Sequence, residues 1–120
     1  MTAAYIISVL LPLKIISEAN QRGHWSKSSS RKALHRNTAR SILQSHARPS
    51  HEGPITIMLT RLGPGALDDD NLASGFKSSR DGVADWLGID DGDKRLTWRY
   101  AQRRGMAGQY AAEVTVEWEV

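Results

Sequence analysis

Two groups of aspartates in the second half of the chain have the residue type and spacing for metal chemistry. Two carboxylates held about 4 Å apart near a protein surface repel each other by about 4 kcal/mol. A fold that brings both groups together therefore needs protons, basic partners or a divalent cation to offset the repulsion. Carboxylates without histidine or cysteine are ligands for Mg²⁺ or Mn²⁺ rather than for zinc. The groups consist of Asp68, Asp69 and Asp70, and of Asp90, Asp91 and Asp93.

A helix between the two groups would place a lysine among these acids. With an advance of about 100° per residue, Asp70, Lys77 and Asp81 fall on one stripe, opposite the apolar positions of the same helix. An aspartate that precedes a helix also satisfies free backbone N–H groups, so one of the first three acids is expected to act as a cap. Capping does not account for three consecutive acids together with a second cluster.

Basic residues dominate the first part of the chain. Residues 1–66 contain nine Lys or Arg against two acids, whereas residues 67–120 contain seven against eleven. This asymmetry indicates a polyanionic partner and a separate anionic site that could hold a cation. A solvated helix face with ordinary surface carboxylates is the alternative, and charge alone does not separate the two. Basic residues recur at four-residue spacing, as on one helix face, at Lys32, Arg36 and Arg40.

The first half of the chain predicts a strand followed by the basic helix. Residues 5–16 are rich in Ile, Leu and Val, which is typical of a strand, and Pro12 indicates an edge or a bulge. We expect a polar loop over residues 17–30 and a helix from Arg31 to about Ser45. The apolar face of this helix is expected at Leu34, Thr38, Ile42 and Leu43.

The second half predicts a strand, a capped helix and two further strands. Residues 55–62 form the clearest strand, which Gly-Pro-Gly closes. Residues 96–103 are expected to form the next strand, and strict alternation over residues 113–120 favours an antiparallel hairpin with it. The order β-α-β-α-β-β predicts a single α+β domain over residues 1–120, with two main helices packed on a mixed or antiparallel sheet.

Composition excludes several classes of protein. The absence of cysteine excludes disulfides, thiolate zinc sites and a cysteine nucleophile. The longest apolar run is far shorter than the ~20 residues of a membrane span. No cationic segment precedes it, so a secretory signal is not expected. We therefore expect a cytoplasmic domain.

Three motifs in the second half resemble those of the RusA-like Holliday junction resolvases, endodeoxyribonucleases of bacteria and their phages. Residues 68–72 (DDDNL) match the DxDNL motif of that family, Lys77 with Asp81 matches its K-x-x-x-D step, and residues 89–91 (IDD) match its apolar-D-D motif. The lysine follows the second motif aspartate by seven residues here and by four in the family pattern. Both intervals return the lysine to the same helix face.

The resemblance implies a homodimeric, Mg²⁺-dependent nuclease, with Mn²⁺ as a substitute ion, that cuts symmetrically opposed strands of a four-way DNA junction in recombination and repair. Asp68 and Asp70 would bind the metal, with Asp91 or Asp90 completing the site. Lys77 would stabilise charge on the phosphate or position the water. Phosphate contacts, which carry affinity without reading sequence, would come from Arg22, Lys27, Arg31, Lys32, Arg36, Arg40, Arg99, Arg103 and Arg104.

Two other functions remain open on the sequence. The first is a module that binds branched or duplex DNA without cutting it, and its affinity would survive replacement of the acids by asparagine. The second is a small interaction protein whose acids only cap a helix. In the nuclease, Asp68, Asp70 and Asp91 should converge, whereas in the interaction protein they should point separately into solvent.

Overall fold

The strands of the chain form one four-stranded mixed sheet in the computed structural model, which describes residues 4–17, 25–49, 53–106 and 108–119. The α+β class and the order of the elements predicted from the sequence are confirmed. None of the helices in these ranges is both long and apolar enough to cross a membrane. The elements are β1 (Ala4–Leu11), α1 (Trp25–Leu43), β2 (Ile55–Gly63), α2 (Asp69–Gly75), α3 (Lys77–Leu87), β3 (Leu96–Arg104) and β4 (Ala111–Glu119).

The predicted hairpin between the last two strands is wrong. The sheet order is β1-β4-β2-β3, so β2 lies between β3 and β4. The helical segment between β2 and β3 is a crossover that makes these two strands parallel. β3 therefore lies at one edge of the sheet, beside β2. β4 pairs antiparallel with both β2 and β1. Directly after β3, the Gly105 N–H donates to the Gly63 carbonyl at the end of β2, at 3.1 Å.

One face of the sheet packs against the helices, and the other face lines an open groove. On one face, Ile57 pairs with Val116 and Leu59 with Val114, and these buried side chains form one core with residues of α1, α2 and α3. Successive side chains of a strand point to opposite faces. The intervening residues, such as Met58, therefore lie on the other face, where they line a groove of about 590 Å³.

The basic helix is longer than predicted, and its packed face agrees with the predicted one only near its end, at Ile42 and Leu43. α1 begins at Trp25, so part of the expected loop is helical. Its buried positions are His35, Ala39 and Leu43, whereas Leu34 is 58 % exposed. Earlier in the helix the inward positions are a histidine and an alanine, so the apolar pattern was wrong at Leu34 and correct at Leu43. The preceding strand ends at Leu11, before Pro12, because proline has no N–H for the ladder.

The single helix predicted after the first acidic group is divided at Phe76. The Phe76 N–H donates to the carbonyls of Leu72 and Ala73 at 3.3 and 3.2 Å, and its side chain is fully buried. Gly75 sits against the chain that follows β1, and a Cβ added there would come 2.8 Å from the carbonyl oxygen of Ile16. The segment consists of two helices, α2 and α3. Asp70 and Lys77 are therefore not on one continuous helical stripe.

Candidate functional site

Lys77 lies between two aspartates that are distant from each other in sequence. Its Nζ donates to Asp81 Oδ1 at 3.1 Å and to Asp91 Oδ2 at 3.4 Å. The hydrogen bond to Asp81, followed by the charges of both carboxylates, raises the pKa of Lys77 despite partial burial. Two of the three motifs singled out in the sequence, the lysine step and the second acidic group, therefore meet in space.

Asp91 is held by several neighbours as well as by Lys77. The Arg80 Nε donates to Asp91 Oδ2 at 3.0 Å, and the Trp98 Nε1 donates to the Asp91 backbone oxygen at 2.8 Å. Burial alone would raise the pKa of Asp91, but the charges of Lys77 and Arg80 and the Lys77 hydrogen bond outweigh it and lower the pKa. Asp91 is therefore a fixed, ionised carboxylate at neutral pH.

Arg80 and Trp98 are site residues that the sequence analysis missed. The guanidinium carbon of Arg80 lies 4.6 Å from the centre of the Trp98 ring, and its Nη1 donates to the Tyr100 hydroxyl at 3.0 Å. The sequence contained a signal for each residue. Arg80 lies three residues after Lys77 on the same helix, and Trp98 lies two residues after the buried Leu96, on the same face of β3. Together they attach the loop that carries Asp91 to α3 and to the sheet.

Asp68 acts as the N-cap of α2. Its Oδ1 accepts from the Asn71 N–H at 2.8 Å and its Oδ2 accepts from the Asn71 side-chain amide at 3.0 Å. This confirms the expectation that one of the three consecutive acids caps the helix. Asp69 and Asp70 lie in the first turn of α2, where carboxylates interact favourably with the helix dipole, and both are exposed.

The donor chemistry of these acids fits a hard cation, but their arrangement is not that of a metal site. Within the described ranges, no group of three or more histidine, aspartate or glutamate side chains is placed to hold a metal ion. Asp68 caps α2 and Asp70 lies in its first turn, whereas Asp91 belongs to the Lys77 cluster. The predicted convergence of Asp68, Asp70 and Asp91 is thus not present in the described structure.

Asp90 and Asp91 instead join two acids of α3 around a small depression of about 130 Å³. The acids that line it are Asp81, Asp85, Asp90 and Asp91. Arg36 also lines the depression and donates to both carboxylate oxygens of Asp85, at 2.7 and 2.8 Å. The hydrogen bonds from Arg36 lower the pKa of Asp85. Partial burial of Asp85 opposes this shift, and the charge of Arg36 adds to it. Basic partners thus offset part of the repulsion that the sequence predicts.

The predicted DNA-contacting residues are divided between the two sides of the sheet. Lys27, Arg31, Lys32, Arg36 and Arg40 are on α1, and Arg40 also lies 3.9 Å from Asp85. By strand alternation, Arg99 and Arg103 lie on the sheet face away from the core. They do not extend the surface of α1. Arg103 pairs with Glu113 at 3.4 Å, Arg104 is exposed at the end of β3, and Arg22 lies outside the described residues.

No protein-family model matches this chain, and no curated protein matches it at a significant level. The function proposed below therefore rests on the site residues and on the motif resemblance.

Proposed function

We propose that the chain is a metal-dependent endonuclease that acts on branched DNA, with the four-way junction as its substrate. The observation that supports this most directly is the position of Lys77 between Asp81 and Asp91. These are the acids that accompany the lysine in the resolvase-like motifs, and Asp91 reaches it from a separate loop. A motif that only capped a helix would not require this contact.

The cluster has the groups that phosphodiester hydrolysis needs around the reacting phosphate. The Lys77 ammonium has three donors, so it can contact a phosphate oxygen and stabilise the charge that develops there. Asp91 stays ionised and can accept a hydrogen bond from an attacking water. Arg80 and Trp98 keep Asp91 in place, which limits the reorganisation that the reaction requires.

A divalent cation is part of this proposal, and Asp68, Asp70 and Asp91, or Asp90, are the residues that would bind it. When bound, such an ion polarises the phosphate and lowers the pKa of a coordinated water. A carboxylate oxygen has two lone pairs, so Asp68 keeps acceptor capacity while it caps α2. These acids do not form one group in the described structure, so the proposal requires that they would approach one another when Mg²⁺ or Mn²⁺ is bound.

A DNA-binding module that does not cut is the second candidate, and one observation favours it. Both oxygens of Asp68 are already hydrogen-bonded to Asn71, and the described residues contain no ready group of three acids. Such a module would use the basic face of α1 for phosphate contacts. Replacement of Asp68 or Asp70 by asparagine would then leave its affinity for DNA unchanged or increase it.

We also propose that the active form is a homodimer. A four-way junction has approximate two-fold symmetry, so two sites related by a two-fold axis can nick opposed strands. Sedimentation equilibrium at micromolar concentration should give twice the 13.3 kDa chain mass. A monomer alone under these conditions, with and without junction DNA, would contradict the dimer.

Cleavage of a labelled four-way junction tests the proposed activity. The reactions contain Mg²⁺, Mn²⁺ or EDTA, and linear duplex is the substrate control. Asp70→Asn is the test variant, and Asp69→Asn is the matched control because it removes a neighbouring carboxylate from the same helical turn. Paired nicks in the junction that need metal and disappear only in Asp70→Asn support the nuclease. Tight binding without cleavage in either metal favours the non-cleaving module.

A further inference from the structure

A cationic cleft adjoins the acidic depression on the helical side of the molecule. It has a volume of about 540 Å³ and lies between α1 and the α2–α3 segment. Three of its lining residues are basic, one is acidic and two are serines. These residues are Lys32, Arg36, Lys77, Asp81, Ser74 and Ser78.

The packing of α1 against α3 explains why the cleft exists. At Gly82 the helices are in close contact, since a Cβ added there would come 2.3 Å from the Arg36 carbonyl oxygen and 2.9 Å from Ala39 Cβ. Ser78, one turn before Gly82 on α3, lines the cleft. The helices therefore meet at Gly82 and separate towards the start of α3. Small residues, Ala33 and Gly75, also line this space.

The charge of the cleft favours an anion. Arg36 and Lys77 form ion pairs with three carboxylates, Asp85, Asp81 and Asp91, so the anion site depends mainly on Lys32. Lys32 is exposed, and no ion pair to it occurs in the described part of the chain. Lys77 gives two of its three donors to carboxylates, which leaves the third for a ligand. An oxyanion in the cleft would be reached by these cations and by the Ser78 hydroxyl. The Ser74 hydroxyl already donates to the Asn71 carbonyl at 3.3 Å.

Arg36 and Asp81 line both the cleft and the acidic depression. The cleft therefore adjoins the depression that Asp91 lines. We infer that the cleft is a phosphate site. It holds a phosphodiester group of the DNA strand, next to the phosphodiester group that is presented to Asp91. This inference rests on the proposed function for the identity of the ligand. The anion chemistry of the cleft is independent of it.

Two binding measurements without divalent metal test the inference, because neither depends on cleavage. The first follows the backbone amide signals of Ala33, Gly75 and Ser78 by NMR during titration with inorganic phosphate and, separately, with a short DNA duplex. The second measures how the affinity for junction DNA depends on salt. Lys32→Gln is the test variant, and Lys94→Gln is the control because it removes an exposed lysine that does not line the cleft.

We expect both ligands to shift the cleft amides in the native chain and in Lys94→Gln. In Lys32→Gln the shifts should weaken and the salt slope should fall by about one. Ala33→Asp, which places a carboxylate in the cleft, should weaken binding further. Because Lys32 and Ala33 are exposed, circular dichroism should show that both variants fold like the native chain.

The other outcomes separate this inference from the proposed function. DNA binding that shifts amides only around Arg99 and Arg103 would overturn the cleft and keep the nuclease proposal. Phosphate shifts at the cleft without binding of duplex or junction would keep the anion site and overturn its DNA ligand and the nuclease. No response of the cleft to phosphate or DNA, together with no DNA binding, would overturn both.

Discussion

Arg36 and Asp85 join the basic helix to α3 through two hydrogen bonds, from Nε at 2.7 Å and from a terminal nitrogen at 2.8 Å. The pair raises the pKa of Arg36, first through the side-chain hydrogen bond and then through the charge of Asp85. Part of the cationic stripe on α1 is therefore used inside the molecule. In the proposed nuclease, the phosphate contacts of α1 would therefore come mainly from its other basic residues.

A charge-reversal cycle should detect this pair. Arg36→Glu and Asp85→Arg should each lower the midpoint of thermal unfolding by a few degrees, because each places like charges together. The double variant should recover about half of the loss or more. Strictly additive losses would show that the two side chains do not interact in solution.

Removal of the Lys77 ammonium should affect cleavage far more than folding. Lys77→Met should lower the rate of junction cleavage by about 100-fold, since a positioned charge at the phosphate is lost. Its side chain is 63 % exposed, so the thermal midpoint should change little. Lys94→Met controls for the loss of a surface lysine. Undiminished cleavage in Lys77→Met would remove this residue from the reaction.

The contact between α1 and α3 requires glycine at position 82. Gly82→Ala should lower the free energy of unfolding by about 1–3 kcal/mol, because the new methyl group collides with the backbone of Arg36. Gly92→Ala is the matched control, since its Cβ would meet nothing closer than 3.9 Å. Urea denaturation compares the two. Equal stability of both variants would contradict the close approach of the helices.

The loop after α3 should make stability depend on pH in the acidic range. Hydrogen bonds from the Arg95 side chain and then from its backbone lower the pKa of Asp93 to about 2. A carboxyl whose pKa is lower in the folded state stabilises the fold above its ordinary value of 3.8. That contribution disappears as the pH falls from about 4 to about 2.

Asp93→Asn should therefore unfold at lower urea concentration than the native chain at pH 6, and the difference should shrink as the pH approaches 2. Glu119→Gln controls for the loss of one exposed acid on β4. A difference that is the same at pH 6 and at pH 2 would show that the Arg95 contacts do not act through ionisation of Asp93.

The predictable parts of this fold are those with strong local signals. The strand over residues 55–62 and the alternating last strand follow from apolar runs and period-two patterning, and both occur. The partner of the last strand was not predictable in this way, because a period-two pattern identifies a buried face and not a neighbour. A crossover helix between β2 and β3 favours their parallel pairing, which leaves β4 to pair elsewhere.

The candidate site was predictable only in part. Lys77, Asp81 and Asp91 were singled out by spacing, and they do meet. The predicted continuous helix from Asp70 to Lys77 was wrong, because the helix is broken at Phe76. Gly75, beside the break, lies against the chain near Ile16, a distant contact that local spacing does not reveal. Arg80 was missed because its role arises from Trp98 and Tyr100, which approach it from a distant strand.

The place of β4 in the sheet has a consequence for folding kinetics. Ala4 pairs with Glu119 and Leu11 with Ala112, so β1 gains its only described strand partner from the far end of the described chain. Contacts between residues so far apart in sequence form slowly, because a long loop must close and lose chain entropy before the contacts stabilise it. We expect β2, α2, α3 and β3 to associate first, through their local crossover. Insertion of β4 between β1 and β2 would then be the slow step that completes the sheet.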